Sequence, residues 1–272
     1  MVKWRRPIST ALLTLVGLLY IAPILWMILG ALKTQVQLFS YVPELLFSPT
    51  GDNFSYLVRT GVAITPYMVN SLIVAIASSF IAIAVGTWTA YVLANFRIKR
   101  KKDFEFWILS MRMIPALSVV VPFYLMATAV HLYDSRIALV LVYLTFEIPL
   151  VVWLMKGFFV ELPKEISDAA RVDGCGDIGR FWRIALPLVR PGLVSALLLC
   201  FIASWNEFPF ALYLTSRSAV TMPVALTGFN TENGVLWGPM LAAGTVAALP
   251  VFIFSILIRR HLVRGLTMGS VK

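Results

Sequence analysis

The chain contains few of the residues from which metal, redox or acid–base sites are usually built. Its 272 residues include two cysteines and two histidines. Cys175 and Cys200 form no C-x-x-C pair and have no histidine near them, so the sequence indicates neither a zinc site nor a redox-active dithiol. His131 and His261 stand alone as well. We therefore expect no metal ion and no cofactor, and we interpret both cysteines as structural residues.

The sequence also lacks a loop that would bind ATP. It contains no Gly-Lys-Ser/Thr stretch, the part of a P-loop that holds the phosphates. The segment from Gly174 to Gly179 matches G-x-G-x-x-G, but a helix and not a strand is predicted before it, and Asp177 would place a carboxylate where pyrophosphate should bind. We therefore expect that the chain is not an enzyme and that ATP hydrolysis occurs in a separate partner subunit.

Charged residues are scarce too, and this scarcity indicates the class of protein. They make up 13% of the chain, whereas apolar residues make up 60%, which is far from the balance of a soluble domain. The net charge of +10 is compatible with nucleic-acid binding, but the basic residues lie between apolar runs and not on one soluble face. The sequence therefore predicts an all-α integral membrane protein in a lipid bilayer, without a nucleic-acid partner.

Six apolar runs are long enough to cross the bilayer as helices, which takes about 20 residues. They cover residues 8–32, 71–94, 106–130, 137–155, 193–214 and 235–258. The first run is longer than the apolar region of a signal peptide, so we interpret it as a retained helix. We predict a single transmembrane domain over residues 1–272.

The positions of the basic residues predict the orientation of these helices. Three lie in the N-terminal tail, five in residues 97–102, six in residues 156–190 and four after residue 258, which places 18 of the 23 on one side of the membrane. By the positive-inside rule that side is the cytoplasm. Both termini and the segment 156–191 are therefore predicted to be cytoplasmic.

The segment 156–191 is the one long polar stretch in the second half of the chain. Pro163 favours the start of a helix, and Gly174 can adopt the left-handed conformation that ends one. We expect a short helix roughly from Lys164 to Asp173.

A second short helix is predicted after this turn, with Asp177 as its N-cap. Helical spacing places four apolar side chains on one face while two arginines, Arg180 and Arg183, face elsewhere. The four are Ile178, Phe181, Trp182 and Ala185. Pro187 and Pro191 mark the end of this helix or a kink in it.

The same segment resembles the EAA loop of ABC-importer permeases. The residues that match its spacing are Asp168, Ala169, Ala170, Gly174, Ile184, Leu186 and Pro187. Asp168 stands where the family usually has glutamate, which keeps the charge and shortens its reach. The resemblance implies a cytoplasmic coupling-helix loop between the fourth and fifth helices, whose short helix docks in a cleft of the ATPase subunit.

Further stretches look like the carbohydrate-importer branch of that family, the binding-protein-dependent permeases of the maltose type. They are residues 70–72, 121–124, 157–159 and 265–272. The resemblance implies a transmembrane permease subunit that forms half of a translocation path for a carbohydrate. It also implies a second permease subunit, ABC ATPase subunits, an extracytoplasmic sugar-binding protein, and a location in the bacterial or archaeal cell inner membrane.

Four polar residues lie inside the apolar runs, where ionisable groups are costly unless they pair or face an aqueous cavity. They are Arg112, Glu147, Asn206 and Glu207. Arg112 and Glu147 fall at similar depths in their helices, so they are candidates for an ion pair. In the alternative interpretation Arg112 reaches the cytosolic interface and Glu147 bonds a neighbouring helix or faces water.

Trp205, Asn206 and Glu207 resemble the Trp-Asn-Asp/Glu stretch of sugar-importer permeases, where this helix borders the translocation path. An aromatic ring suits the C–H face of a sugar, and the amide and carboxylate suit its hydroxyls. These three residues and Glu147 are therefore candidates for the path. The alternative is that Asn206 and Glu207 bond another helix and serve packing.

Two other classes of protein remain possible from the residues alone. An integral-membrane enzyme could hold Mg²⁺ with Asp168, Asp173 and Asp177, although the first two do not share a helix face. A secondary transporter is the other alternative, and the paired half-helices or repeats typical of that class are not evident in the sequence.

Overall fold

The computed structural model describes residues 5–59 and 64–267, with side chains for residues 9–59 and 64–257. Helices dominate this part of the chain. The N-terminal half contains α1 (Arg5–Ala31), α2 (Gln35–Leu38), α3 (Asp52–Arg59), α4 (Ile64–Asn95), α5 (Lys101–Ser110), a 3₁₀ turn (Met111–Met113), α6 (Ala116–Ala129) and α7 (Arg136–Val160).

The C-terminal half begins with α8 (Lys164–Val172), α9 (Asp177–Arg180), a π-helical turn (Phe181–Ala185), α10 (Leu186–Leu188) and α11 (Arg190–Trp205). It continues with α12 (Pro209–Leu214), α13 (Met222–Thr227), the strands β1 (Asn230–Thr231) and β2 (Gly234–Val235), and α14 (Trp237–Thr267). The two strands pair antiparallel, Asn230 with Val235 and Thr231 with Gly234.

Four of the described helices are long and apolar enough to cross a membrane, namely Ser9–Ala31, Ile64–Asn95, Arg136–Val160 and Trp237–Leu257. Two bent helix pairs bring the number to six if each pair counts as one span. Large apolar side chains cover much of their outer surface; Leu13, Leu19 and Tyr20 on α1 are 65–79% exposed. These surfaces are what lipid-facing helices require, because the hydrocarbon core offers no partner to polar side chains.

The predicted third span, residues 106–130, is not one continuous helix. The α5 segment with its 3₁₀ turn and the α6 segment meet at an angle of 92°. Pro115 explains the break, because a residue before proline is disfavoured in the α-helical region, and Ile114 is extended with ψ of 121°.

The predicted fifth span, residues 193–214, is also interrupted. The helix α11 starts at Arg190, bent by 78° from the preceding segment, and it ends at Trp205. A short α12 restarts at Pro209. Asn206 and Glu207 therefore lie in a break and not inside a helix, which corrects the sequence-based placement. Proline is favoured at the first position of a helix because it lacks the N–H that would remain unpaired there.

The chain forms two compact units, and the first comprises Met1–Pro66 and Ala225–Leu249. In it the amide of Asn53 donates to the backbone carbonyls of Ala31 and Lys33, both at 2.8 Å, and so caps the end of α1. The Lys33 ammonium donates to the carbonyl of Glu44 at 2.7 Å. It also lies over the rings of Trp26 and Phe47, an arrangement that stabilises a buried cation.

The second unit comprises Tyr67–Val224 and Pro250–Lys272. Its helices α4 and α7 approach closely at Gly86, where an added Cβ would lie 2.7 Å from the Cβ of Val151. Around this contact lies an apolar core that includes Tyr91, Met155 and Phe159. This core supports the loop between α7 and α11, which carries the first candidate site.

Candidate functional site

The helix α8, Lys164–Val172, is the predicted short helix within one residue at its end. Pro163 occupies the N-cap position. At the other end Gly174 has φ of +78°, the left-handed conformation expected for it. The N–H of Cys175 donates to the carbonyl of Ala170 at 2.9 Å, and that of Gly174 to Arg171 at 3.0 Å. These two bonds form a Schellman motif, which stops the helix and fixes the direction of the chain after it.

The residues Asp168, Ala169 and Ala170 do not share one environment. Asp168 and Ala169 are exposed, and the Asp168 carboxylate lies 3.8 Å from the Arg171 guanidinium. Ala170 is 5% exposed, because it faces the rest of the chain. A partner protein that binds α8 therefore meets Asp168 and Ala169, whereas Ala170 sets how closely α8 packs on its own subunit.

The second half of the loop differs from the sequence-based prediction. Gly176 and not Asp177 is the N-cap of α9. Of the predicted apolar face, Phe181 and Ala185 are buried, whereas Ile178 and Trp182 are exposed. Arg180, which was expected to face elsewhere, is buried beside Phe181. A π-helical turn follows, closed by the Leu186 N–H and the Phe181 carbonyl.

Arg180 connects the two short helices of this loop, a role that the sequence did not predict. The residue is 3% exposed. The Nη1 group donates to the Ser167 hydroxyl of α8 at 2.8 Å, and Nη2 is paired with the Asp177 carboxylate of α9. The spacing of Asp177 and Arg180, three residues apart at a helix start, is the local signal that could have indicated an ion pair. The bond to Ser167 depends on the tertiary fold.

Aromatic packing anchors the loop on the membrane-spanning helices. The ring of Phe181 lies 4.6 Å from that of Trp88 and 5.0 Å from that of Tyr91, both on α4. Leu186 packs against the same core, Pro187 lies in the short α10, and Ile184 lines a cavity of about 520 Å³ beside α8. These close ring contacts attach the loop to α4.

Glu147 lies at the centre of a buried polar cluster and not in an ion pair. Its side chain is fully buried, and Oε1 accepts a hydrogen bond of 2.5 Å from the Ser204 hydroxyl. The Ser204 hydroxyl is also 2.9 Å from that of Ser78, so the cluster joins α7, α11 and α4. The candidate pair with Arg112 is wrong, because no ion pair joins these two described residues and Arg112 is exposed.

Glu207 stabilises the restart of the broken fifth span. Its carboxylate accepts a hydrogen bond of 2.8 Å from the Tyr143 hydroxyl. It also accepts from the backbone N–H groups of Phe210 and Ala211, at 2.9 and 3.1 Å. These are N–H groups of the first turn of α12, which have no partner within the helix. Glu207 therefore performs the packing role that the sequence left open for it.

Asn206 and Trp205 lie in different surroundings. The Asn206 amide donates to the Ile202 carbonyl at 2.9 Å and the residue is exposed. Trp205 is 3% exposed, and its ring is stacked on that of Phe201 with centroids 5.7 Å apart. Trp205 thus belongs to the core, and Asn206 faces outward from the break.

The two breaks meet at one cavity of about 420 Å³. Its wall combines aromatic rings with a few polar side chains. The residues that line it are Met111, Arg112, Ile114, Ala116, Val119, Phe123, Thr145, Phe146, Asn206, Glu207, Phe208, Pro209 and Phe210. Of the four candidate residues for a translocation path, Asn206 and Glu207 lie in this wall, whereas Trp205 and Glu147 do not.

Comparison with known proteins decides the family. The family of binding-protein-dependent transport system inner membrane components matches residues 82–268. The chain belongs to this family. It is 38% identical over 98% of its length to the probable ABC transporter permease protein y4oR of Sinorhizobium fredii, of which it covers 96%. It is 31% identical to the diacetylchitobiose uptake system permease protein DasC of Streptomyces coelicolor, over 98% of this chain and 96% of that protein.

A solved structure shows the same fold. A bacterial ABC transporter involved in the import of the acidic polysaccharide alginate matches with a TM-score of 0.75 and 20% identity, over 94% of this chain and 95% of that one. The predicted resemblance to ABC-importer permeases and the helical membrane fold are thus confirmed. The chain is a permease subunit of an ABC transporter. Membership of this family disfavours both the membrane-enzyme and the secondary-transporter interpretations.

Proposed function

We propose that this permease forms half of the translocation path of an ATP-driven importer for a carbohydrate. A second permease would complete the path, an extracytoplasmic binding protein would deliver the sugar, and separate ABC ATPase subunits would hydrolyse ATP. The name of the Streptomyces relative, which specifies diacetylchitobiose uptake, supports a carbohydrate substrate. The orientation that the basic residues predict supports an inner-membrane protein with cytoplasmic termini.

The observation that carries this proposal is the cavity between the two broken spans. Irregular backbone at membrane depth is tolerated where it is buried in protein or lines an aqueous cavity. Both breaks, residues 111–115 and 206–208, border the same cavity of about 420 Å³. Two interrupted helices that border one space can present polar backbone groups to a solute that passes there.

The wall of this cavity has the chemistry that suits a sugar. Its rings include Phe146 and Phe210, which are stacked with centroids 6.4 Å apart and present apolar surface to the C–H face of a pyranose. The amide nitrogen of Asn206 is used by its own helix, and among the described residues no donor is recorded for its Oδ1. That oxygen is therefore placed to accept a hydrogen bond from a sugar hydroxyl.

The loop containing α8 would couple this path to ATP hydrolysis. Asp168 and Ala169 form its exposed surface for the ATPase, and Gly174 holds the turn that directs it. Ala170, Ile184, Leu186 and Pro187 would then support the coupling helix from behind. Rigid attachment matters, because force from a partner moves the membrane helices only if the loop does not yield.

Deletion and complementation test the proposed function. A strain without this gene should lose growth on one carbohydrate supplied as the sole carbon source, and the wild-type gene should restore it. Asn206→Ala should restore the permease in the membrane together with its partners but lower uptake of that sugar. Unchanged growth on every carbohydrate tested would contradict a carbohydrate substrate, and full uptake by Asn206→Ala would remove the residue from the path.

A further inference from the structure

Arg112 is the one cation among the residues that line the cavity between the two breaks. It lies in the 3₁₀ turn that follows α5, and it is exposed. In the part of the chain that the structure describes, no carboxylate lies within 4 Å of its guanidinium. No described carbonyl or hydroxyl accepts a hydrogen bond from this side chain either, so its N–H donors are available to another molecule.

The depth of Arg112 argues against a simple interfacial role. The cavity also borders Thr145 and Phe146, the tenth and eleventh residues of the 25-residue α7. At about 1.5 Å per residue, they lie roughly 14 Å from one end of that helix and roughly 22 Å from the other. An arginine at such depth cannot easily reach either interface, so its charge favours an anion or an aqueous path.

The acid in the same wall, Glu207, forms no ion pair with this cation. Both oxygens of Glu207 are engaged, by the Tyr143 hydroxyl and by two backbone N–H groups of α12. The carboxylate thus stabilises the start of α12 and has little remaining capacity to accept hydrogen bonds from a ligand. What the cavity presents is a fork of unused donors on Arg112, one amide acceptor on Asn206 and several phenyl rings.

We infer that Arg112 adapts this cavity to carbohydrates that carry a negatively charged group, such as a carboxylate, sulfonate or phosphate. The fork binds such a group in two parallel hydrogen bonds, while Asn206 accepts from a hydroxyl and the rings cover the sugar's C–H face. The inference rests on the proposed function, because it assigns a substrate class to the same path.

Charge-selective thiol labelling tests the inference without knowledge of the natural substrate. In the assembled importer, with Cys175 and Cys200 replaced by alanine, Thr145→Cys places a single thiol in the cavity wall. Its reaction rates with the anionic sulfonatoethyl and the cationic trimethylammonioethyl methanethiosulfonates are compared. The same ratio at Tyr41→Cys, a fully exposed loop site, corrects for the intrinsic reactivity of the two reagents.

A nearby unpaired cation should raise the corrected ratio about tenfold in favour of the anionic reagent. Arg112→Gln should remove this preference, and Arg112→Lys, which keeps the charge, should retain most of it. If the ratio of the two reaction rates at Thr145→Cys equals that at Tyr41→Cys, the cavity is open to water but not selective for anions. The proposed path is then retained and the inference is overturned. If it reacts with neither, the cavity is closed to water, and both the proposed path and the inference fail.

Protection by sugars tests the substrate class directly. Digalacturonate should slow modification of the Thr145→Cys thiol, whereas galabiose, its neutral counterpart without the carboxylates, should not at the same concentration. Arg112→Gln should abolish the protection. Equal protection by the two sugars, or no protection by digalacturonate, would overturn the assignment of an acidic carbohydrate.

Discussion

Ser204 donates a hydrogen bond of 2.5 Å to the carboxylate of Glu147, which joins α11 to α7 in the membrane-spanning part of the subunit. The other carboxylate oxygen, Oε2, has no hydrogen-bond partner. Ser204, which is itself bonded to Ser78, is thus the close donor to this carboxylate, and a buried carboxyl that loses its donors is strongly destabilising.

Ser204→Ala should lower the free energy of unfolding of the purified permease by about 1–3 kcal/mol, since it leaves a buried acceptor unsatisfied. Ser195→Ala is the matched control on the same helix, because the Ser195 hydroxyl bonds the carbonyl of Pro191 within α11. Thermal unfolding in detergent would compare the two variants. Equal stability of both would show that the bond to Glu147 contributes little.

Asp134 should hold the loop after α12 over a wide range of pH. Its carboxylate accepts hydrogen bonds of 2.8–3.2 Å from the backbone N–H groups of residues 216–219. Burial acts to raise the pKa of Asp134, but these four donors outweigh it and lower the pKa to about 2. A depressed pKa contributes stability that is complete above the unfolded value near 4 and is lost as the pH falls towards 2.

Asp134→Asn should therefore lower thermal stability by the same amount at pH 7 and at pH 5. The difference from the wild type should begin to shrink only below about pH 4, where the unfolded-state carboxyl binds a proton. Unfolding midpoints of both proteins across this range provide the measurement. A difference that already disappears between pH 7 and pH 5 would contradict the depressed pKa.

Arg180 should hold the coupling loop in place. Arg180→Met removes its bonds to Ser167 and Asp177 while it keeps an apolar stem of similar length, so α8 should open more often. In inside-out membrane vesicles, trypsin should then cleave the permease faster at Arg171. The rate of ATP-driven uptake per permease molecule should fall. Arg183→Met is the control, because Arg183 is exposed. Equal cleavage rates in both variants would assign Arg180 no role in holding α8.

The sequence predicted those parts of the structure that depend on local chemistry. The helix α8 and its end at Gly174 follow from residues within a few positions of each other. The long helices α4 and α7 follow from the length of their apolar runs. The prolines at 115 and 209 were visible as well, but proline inside a membrane helix is often accommodated by its neighbours, so the breaks beside them were not predicted.

The contacts of the polar residues were harder to predict, because they depend on how each helix is rotated against the next. Depth alone made Arg112 and Glu147 plausible partners, yet Glu147 faces Ser204 and Arg112 lines the cavity. Arg180 shows the same limit, since its burial requires Ser167 of another helix. Spacing along one helix cannot reveal such contacts.

We propose that the exposed face of α8 binds the ATPase, and two adjacent alanines of this helix test the proposal most directly. Ala169 is exposed and Ala170 is buried. The measurement is the amount of ATPase subunit that co-purifies with equal amounts of permease. Ala169→Trp should overpack the interface at a cost of roughly 1–3 kcal/mol, and so reduce co-purification at least about fivefold at unchanged membrane abundance.

Ala170→Trp should instead reduce the abundance of the permease itself, because it overpacks the subunit's own interior. Gln35→Trp, on the exposed surface of α2, should change neither quantity. A permease with Ala169→Trp that retains the ATPase at the wild-type level would contradict the assignment of α8 as the coupling helix.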